Sequence, residues 1–121
     1  MKLNHIDLQV PDVQEAAAFF ERWFAFEHQS NRASPAIAIL RGADGFSLVL
    51  QRRAEGERYP ENFHVGFLRQ DESEVLDFHR RAREAGLSIS DVQRNQRGTL
   101  TYLRGPGELL VEVSCRPSMT R

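Results

Sequence analysis

The chain has 121 residues, with 16 Lys+Arg against 17 Asp+Glu for a formal net charge of −1; that length suits one domain and excludes separate cofactor and substrate domains. Its 40% hydrophobic and 27% charged content is that of a globular chain and not of a disordered one. No apolar run nears the ~20 residues of a membrane helix, Met1 to His5 lack the apolar region of a secretory signal, and the near-neutral charge gives nucleic acid no electrostatic hold.

His5-Ile6-Asp7-Leu8-Gln9-Val10 alternates polar and apolar residues, the period of a half-buried strand that Pro11 ends. Asp12 follows as a helix N-cap, with Glu15 at capping-box spacing. Val13, Ala16, Ala17, Phe20 and Phe24 then fall at helical spacing, which predicts a helix over 12–24. Residues 26–32 form a weak strand candidate and 36–40 a stronger one. Gly42 to Gly45 is a turn leading into a strand over 46–51.

The polar stretch 52–61, with Gly56 and Pro60, looks like a linker, after which the pattern restarts. Residues 63–68 read as a strand, and Asp71 with Glu74 repeats the D-x-x-E cap. Val75, Leu76, Phe78, Ala82 and Ala85 support a helix that stops at Gly86. Strands are predicted over 87–92, 99–103 and 109–113, with Gly105-Pro106-Gly107 as the last turn.

The order is thus a tandem βαβββ repeat. His5 and His64 hold the same place in each half, 59 residues apart, and Asp12 and Asp71 repeat at the same offset. The expected class is α+β: one domain over 1–121, with modules about 1–52 and 62–115. Such modules pair into a curved mixed sheet around a cavity, with the helices outside.

If the helices cover Ile6, Leu8 and Val10, then His5, Asp7 and Gln9 face the cavity, with His64 as the matching residue of the second module. On the last strand Leu109, Val111 and Val113 share one face and leave Glu112 on the other. A glutamate amid an apolar strand is costly unless it is paired, solvated or metal-bound. Two imidazoles and one carboxylate suit Fe(II), Mn(II), Zn(II) and similar ions, and leave coordination positions open. A single strand histidine is more often a hydrogen-bonded structural group than a ligand; the repeat favours the ligand reading for this pair.

The run Asn4 to Asp12, the helix residues Ala17 to Glu27, the strand Phe63 to Phe67 and the segment Thr101 to Glu112 together resemble the vicinal oxygen chelate superfamily of glyoxalase I, extradiol dioxygenases, fosfomycin-resistance thiol transferases and bleomycin-resistance proteins. The resemblance covers nearly the whole chain. It implies that His5, His64 and Glu112 are ligands of one divalent ion (Fe, Mn, Zn or Ni), with Glu112 also catalytic. It implies a substrate with two adjacent oxygens and lyase or isomerase, dioxygenase or thiol-transferase chemistry. Asp7, Gln9 and Tyr102 are the candidates to orient that small molecule. It further implies a homodimer. The alternative is a metal-free protein that sequesters an antibiotic, as bleomycin-resistance proteins do.

Glyoxalase I-like members add a fourth ligand on the last strand of the first module. Aligning Gly45 with Gly107 puts Leu50 there, which cannot bind a metal; only a one-residue bulge would bring Gln51 in. Arg94, Arg97, Thr99 and Thr101 make a loose version of the basic and hydroxyl cluster that a fosfomycin transferase needs. His28 and His79 read as exposed. Cys115, placed just past the last strand, is the single cysteine and reads as inert; it allows no internal disulfide and no Cys-based zinc site, so the expected setting is the cytoplasm. Lys2 is the only lysine, so fifteen basic residues are arginine. Arginine grips anions bidentately, but these residues are scattered, and composition bias is the simpler reading.

Overall fold

The computed structural model describes residues 1–117 and divides into two compact units, Met1–Arg58 and Tyr59–Arg121. Their boundary falls inside the polar stretch between the two repeats. The class is α+β, as the periodicity predicts: each unit is a mixed sheet with one helix packed on one face.

The first unit contains β1 (His5–Val10), α1 (Val13–Phe24), β2 (Glu27–His28), β3 (Ile37–Arg41) and β4 (Ser47–Arg52). The sheet order is β1-β4-β3-β2, with β1 parallel to β4 and the other pairs antiparallel. The β1–β4 pairing is parallel because α1 and the β2–β3 hairpin intervene and return the chain to the same end. The Asp12 carboxylate accepts the Glu15 N–H at 3.1 Å and so caps α1. Val13, Ala16, Ala17, Phe19 and Phe20 form its buried stripe, which packs on β3 and β4. The facing side chains Leu8, Val10, Ala38, Leu40, Leu48 and Leu50 are all buried. Phe20 is 1% exposed, so its burial alone contributes about 2–3 kcal/mol.

The second unit contains β5 (His64–Leu68), α2 (Glu72–Glu84), β6 (Ser88–Ile89), β7 (Gln93–Asn95), β8 (Gly98–Arg104) and β9 (Leu110–Cys115). Its order is β5-β9-β8-β6, with β7 also on β8 and β5 parallel to β9. Asp71 caps α2 by accepting the Glu74 N–H at 3.1 Å. Gly86, at φ +81, follows the helix and donates to the Arg83 carbonyl, the left-handed stop that its sequence position predicts. Val75, Phe78 and Ala82 are buried under the helix, together with Val111 and Val113 from the sheet. No helix of the described residues is long and apolar enough to cross a membrane.

Several local expectations are corrected. The strand expected over 87–92 is only Ser88–Ile89, and an extra strand, β7, follows it. All three β7 residues are exposed, so no apolar period marks it; an Asx turn, in which Asn95 Oδ1 accepts the Arg97 N–H at 2.8 Å, makes the hairpin. Leu76 on α2 and Ala85, its C-cap, are exposed, because the buried stripe is only Val75, Phe78 and Ala82. Cys115 is the last residue of β9 and fully buried, rather than beyond the strand. His79 is half-buried, and its Nε2 is enclosed without a hydrogen-bond partner. His28 is likewise half-buried, with Nε2 3.0 Å from Gln14 Oε1 and Nδ1 accepting the Ser30 N–H at 3.2 Å.

Candidate functional site

In each unit the helix covers one sheet face, and the polar candidates stand on the other. In the second unit this face carries His64, Gly66, Tyr102, Glu112 and Ser114. The strand register sets Gly66 beside Glu112 and Glu112 beside Tyr102, so the three form one row across β5, β9 and β8. Gly66 contributes no side chain, and a Cβ there would stand 3.8 Å from Glu112 Oε2. The Glu112 carboxylate lies over this opening.

Both Glu112 oxygens are oriented. Tyr102 Oη donates to Oε1 at 2.6 Å and Ser114 Oγ donates to Oε2 at 3.1 Å. The Tyr102 ring stands edge-on to the His64 ring, with centroids 5.7 Å apart and planes at 90°. His64 Nδ1 lies 2.9 Å from the Asn62 carbonyl oxygen. A carbonyl only accepts, so Nδ1 carries the proton in that bond. Neutral His64 therefore presents its Nε2 lone pair. That atom is 3.8 Å from Glu112 Oε1, too far for a hydrogen bond.

Two electron-rich atoms thus face one another in the neutral tautomer, an arrangement that a cation between them relieves. Two ligand atoms at about 2.0–2.2 Å from one ion stand about 3.4 Å apart at a tetrahedral angle, so His64 and Glu112, 3.8 Å apart, would need to close by only a few tenths of an ångström to hold one. A backbone carbonyl on the far ring nitrogen is also the usual partner that orients a metal-binding histidine. These two residues fit a divalent metal. Among the described residues, no group of three His, Cys, Asp or Glu is arranged to hold one.

Arg97, on the β7–β8 turn, donates to Tyr102 Oη at 3.4 Å. That hydrogen bond, with the Tyr102 and Glu112 oxygens nearby, raises its pKa above the ordinary arginine value. Arg94 and Thr99 instead donate to Glu72 Oε2, at 2.9 and 2.6 Å, and Thr101 donates to the Ser90 carbonyl. Of the loose basic and hydroxyl cluster, only Arg97 reaches the Glu112 face.

In the first unit His5, Asp7 and Gln9 stand on the uncovered face of β1. Asp7 Oδ1 accepts from Gln9 Nε2 at 2.9 Å, and Oδ2 accepts from Gln51 Nε2 at 2.6 Å. Gln51 reaches this face without a bulge, because β4 pairs regularly with both neighbours. Leu50 is fully buried on the helix side and is not the counterpart of Glu112. The counterpart is Val49. It pairs with Asp7, two residues after His5, as Glu112 pairs with Gly66, two residues after His64. The alignment of Gly45 with Gly107 is one residue out. Left-handed backbone falls at Asp44 and Gly45 in one turn and at Gly107 and Glu108 in the other, so Gly45 matches Glu108.

Ser114, Gly66 and the Asn62 carbonyl were not among the sequence candidates. Ser114 and Gly66 lie two residues from Glu112 and His64, so strand alternation alone places them on the same face.

Comparison with known proteins gives a consistent result. A possible glyoxalase from Bacillus cereus shares 32% identity over 95% of this chain and 99% of its own, with a TM-score of 0.85. Lactoylglutathione lyase from Agrobacterium tumefaciens shares 19% identity over 94% of this chain and 92% of its own, at 0.77. A mutant of FosX, a fosfomycin resistance protein from Listeria monocytogenes, was solved with Mn(II) and 1S,2S-dihydroxypropylphosphonic acid; it shares 20% identity over 98% of this chain and 95% of its own, also at 0.77. No curated protein matches the chain. The family model of the glyoxalase/bleomycin resistance protein/dioxygenase superfamily matches residues 2–113, and the chain belongs to that superfamily.

Proposed function

We propose that this protein is a divalent-metal-dependent enzyme acting on a small molecule with two adjacent oxygens. The observation that carries the reading is the pairing of His64 Nε2 with Glu112 Oε1 at 3.8 Å, each group fixed from behind by Asn62, Tyr102 or Ser114. His64 and Glu112 are two ligands in this reading, and His5 is the third. Mn(II) in the FosX structure supports a metal of this kind; Fe, Zn and Ni suit the same donors. The bound ion supplies electrophilic stabilisation of negative charge on a substrate oxygen.

The residues of the chain do the rest. The Asn62 carbonyl holds His64 in the tautomer that keeps Nε2 free of a proton. Tyr102 and Ser114 fix the plane of the Glu112 carboxylate. Glu112 can take up a substrate proton, and Tyr102 Oη, which donates to Oε1, holds the carboxylate in place and favours its ionised form until then. Asp7 and Gln9 orient substrate from the first unit. The functional unit in this reading is a homodimer in the cytoplasm; light scattering tests the dimer by returning twice the 13.9 kDa chain mass.

Elemental analysis of protein purified without chelator is the test. We expect close to one divalent ion per chain in the wild type and its loss in His64→Ala and Glu112→Gln. Wild-type protein that takes up no Mn, Fe, Zn or Ni at micromolar concentration would overturn the enzyme reading. Tight binding of an antibiotic by that metal-free protein would favour sequestration in its place.

A further inference from the structure

The arginines that looked scattered in sequence are not scattered in use. Arg32, Arg69, Arg80, Arg81, Arg83 and Arg94 sit in ion pairs. Arg97 bonds Tyr102, Arg104 bonds the Glu108 carbonyl, Arg22 lies over Trp23, and Arg116 is also engaged. Among the described residues this leaves Arg41, Arg52, Arg53 and Arg58 without a side-chain partner. Three of these four line a single pocket of about 560 Å3 in the first unit. A composition bias would account for the number of arginines in the chain, but not for three of the four unpaired ones lining one pocket.

The pocket has a built floor. The parallel strands β1 and β4 both end there, Pro11 following β1 and Arg52 closing β4. The Arg53 N–H donates to the Val10 carbonyl at 2.8 Å, tying the loop to β1. Gly56 turns the chain at φ +85, and Glu57 Oε1 accepts the Ala54 N–H across that turn. The volume lies in the ~300–1,000 Å3 range of small-molecule sites, larger than an inorganic ion needs.

Three guanidinium groups carry more positive charge than one carboxylate neutralises, and one fork already engages both of its oxygens. A phosphate monoester offers three terminal oxygens and more charge. Glu55 and Glu57 also line the pocket, so its net charge is only slightly positive; that disfavours an extended polyanion and leaves room for a compact one. We propose that this pocket binds the phosphate of a small phosphorylated molecule. The proposal does not rest on the metal reading.

The test is a titration of the full-length protein with inorganic phosphate and with glycerol 3-phosphate at constant ionic strength, followed by the backbone amide signals of Ala54 and Gly56. Saturable shifts are expected, with glycerol 3-phosphate binding at least as tightly as inorganic phosphate. Arg53→Gln and Arg58→Gln should each weaken binding by about tenfold or more, with the remaining amide spectrum unchanged. Arg41→Gln, which removes the unpaired arginine elsewhere, should leave affinity intact. Acetate should bind at least about tenfold more weakly than phosphate. Non-saturating shifts, equal losses in Arg41→Gln and Arg53→Gln, or equal binding of acetate would each overturn the proposal. Arg52→Gln serves as a third variant should either of the others fail to fold.

Discussion

Val49 and Glu112 occupy the same place in the two units, each paired with the residue two after the strand histidine. The chemistry at these twin positions differs. The second unit carries its carboxylate on β9 opposite a glycine; the first carries Asp7 on β1 opposite a valine. Asp7 is held by two amides, Gln9 and Gln51, where Glu112 is held by two hydroxyls.

This equivalence separates two neighbouring substitutions. Val49→Glu places a carboxylate on the uncovered face, where its main penalty is repulsion from Asp7 across the pair, about 1 kcal/mol. Leu50→Glu buries a carboxylate in a position that is 0% exposed, which costs several kcal/mol, on the order of 4 or more. Urea denaturation of both variants measures the difference. Similar losses would mean that Val49 does not match Glu112.

Tyr102→Phe removes the donor to Glu112 Oε1 while keeping the ring against His64. Partners that orient a ligand are worth about 10–100-fold in metal affinity. We expect a tenfold or larger rise in the metal dissociation constant with no change in thermal midpoint beyond a few degrees. Metal-buffer competition checks it; unchanged affinity would leave Tyr102 a strand aromatic only.

Much of this was legible in the sequence, because strand alternation and the D-x-x-E caps are local signals. His5, Asp7 and Gln9 alternate with Leu8 and Val10, and burial follows that period. The register of β4 was not legible. It depends on which turn residues adopt left-handed backbone, and Asp44 and Glu108 do so without being glycine. The strand β7 was hidden because an edge strand with no buried residue leaves no apolar period. The partners of Glu112 were hidden in part: Ser114 follows from alternation, but the contact with Tyr102 requires the β8–β9 register.

Gly98 opens β8 at φ +120, and a Cβ built there lands on the Cys115 carbonyl. Backbone cannot yield as a flexible side chain does, and an L residue at this φ is strained whatever the space. Gly98→Ala should therefore cost about 3 kcal/mol or more, whereas Gly45→Ala, with no atom within 4 Å of its Cβ, pays only the positive-φ penalty of about 1 kcal/mol. Denaturation midpoints of the two variants read the difference. Equal losses would show that the close approach of β8 to Cys115 is relieved at no cost.

The Arg94 guanidinium, and then the Thr99 hydroxyl, hold the Glu72 carboxyl below the ordinary carboxylate range. A carboxylate whose pKa is depressed on folding stabilises the protein at pH values above its unfolded pKa, and that contribution disappears as pH falls through the folded pKa. The bond fastens the first turn of α2 to the edge strand β7, so its loss should loosen this end of the second unit. Arg94→Gln should accordingly be less stable than wild type by a constant margin above about pH 5, and the margin should shrink and then close as pH falls below the ordinary glutamate range. The bond is solvent-exposed at Arg94, so added salt should shrink the margin as well. Urea midpoints of both proteins between pH 7 and pH 3 test this; a margin that persists unchanged in acid would assign the effect to packing of the arginine stem instead of to the ionised pair.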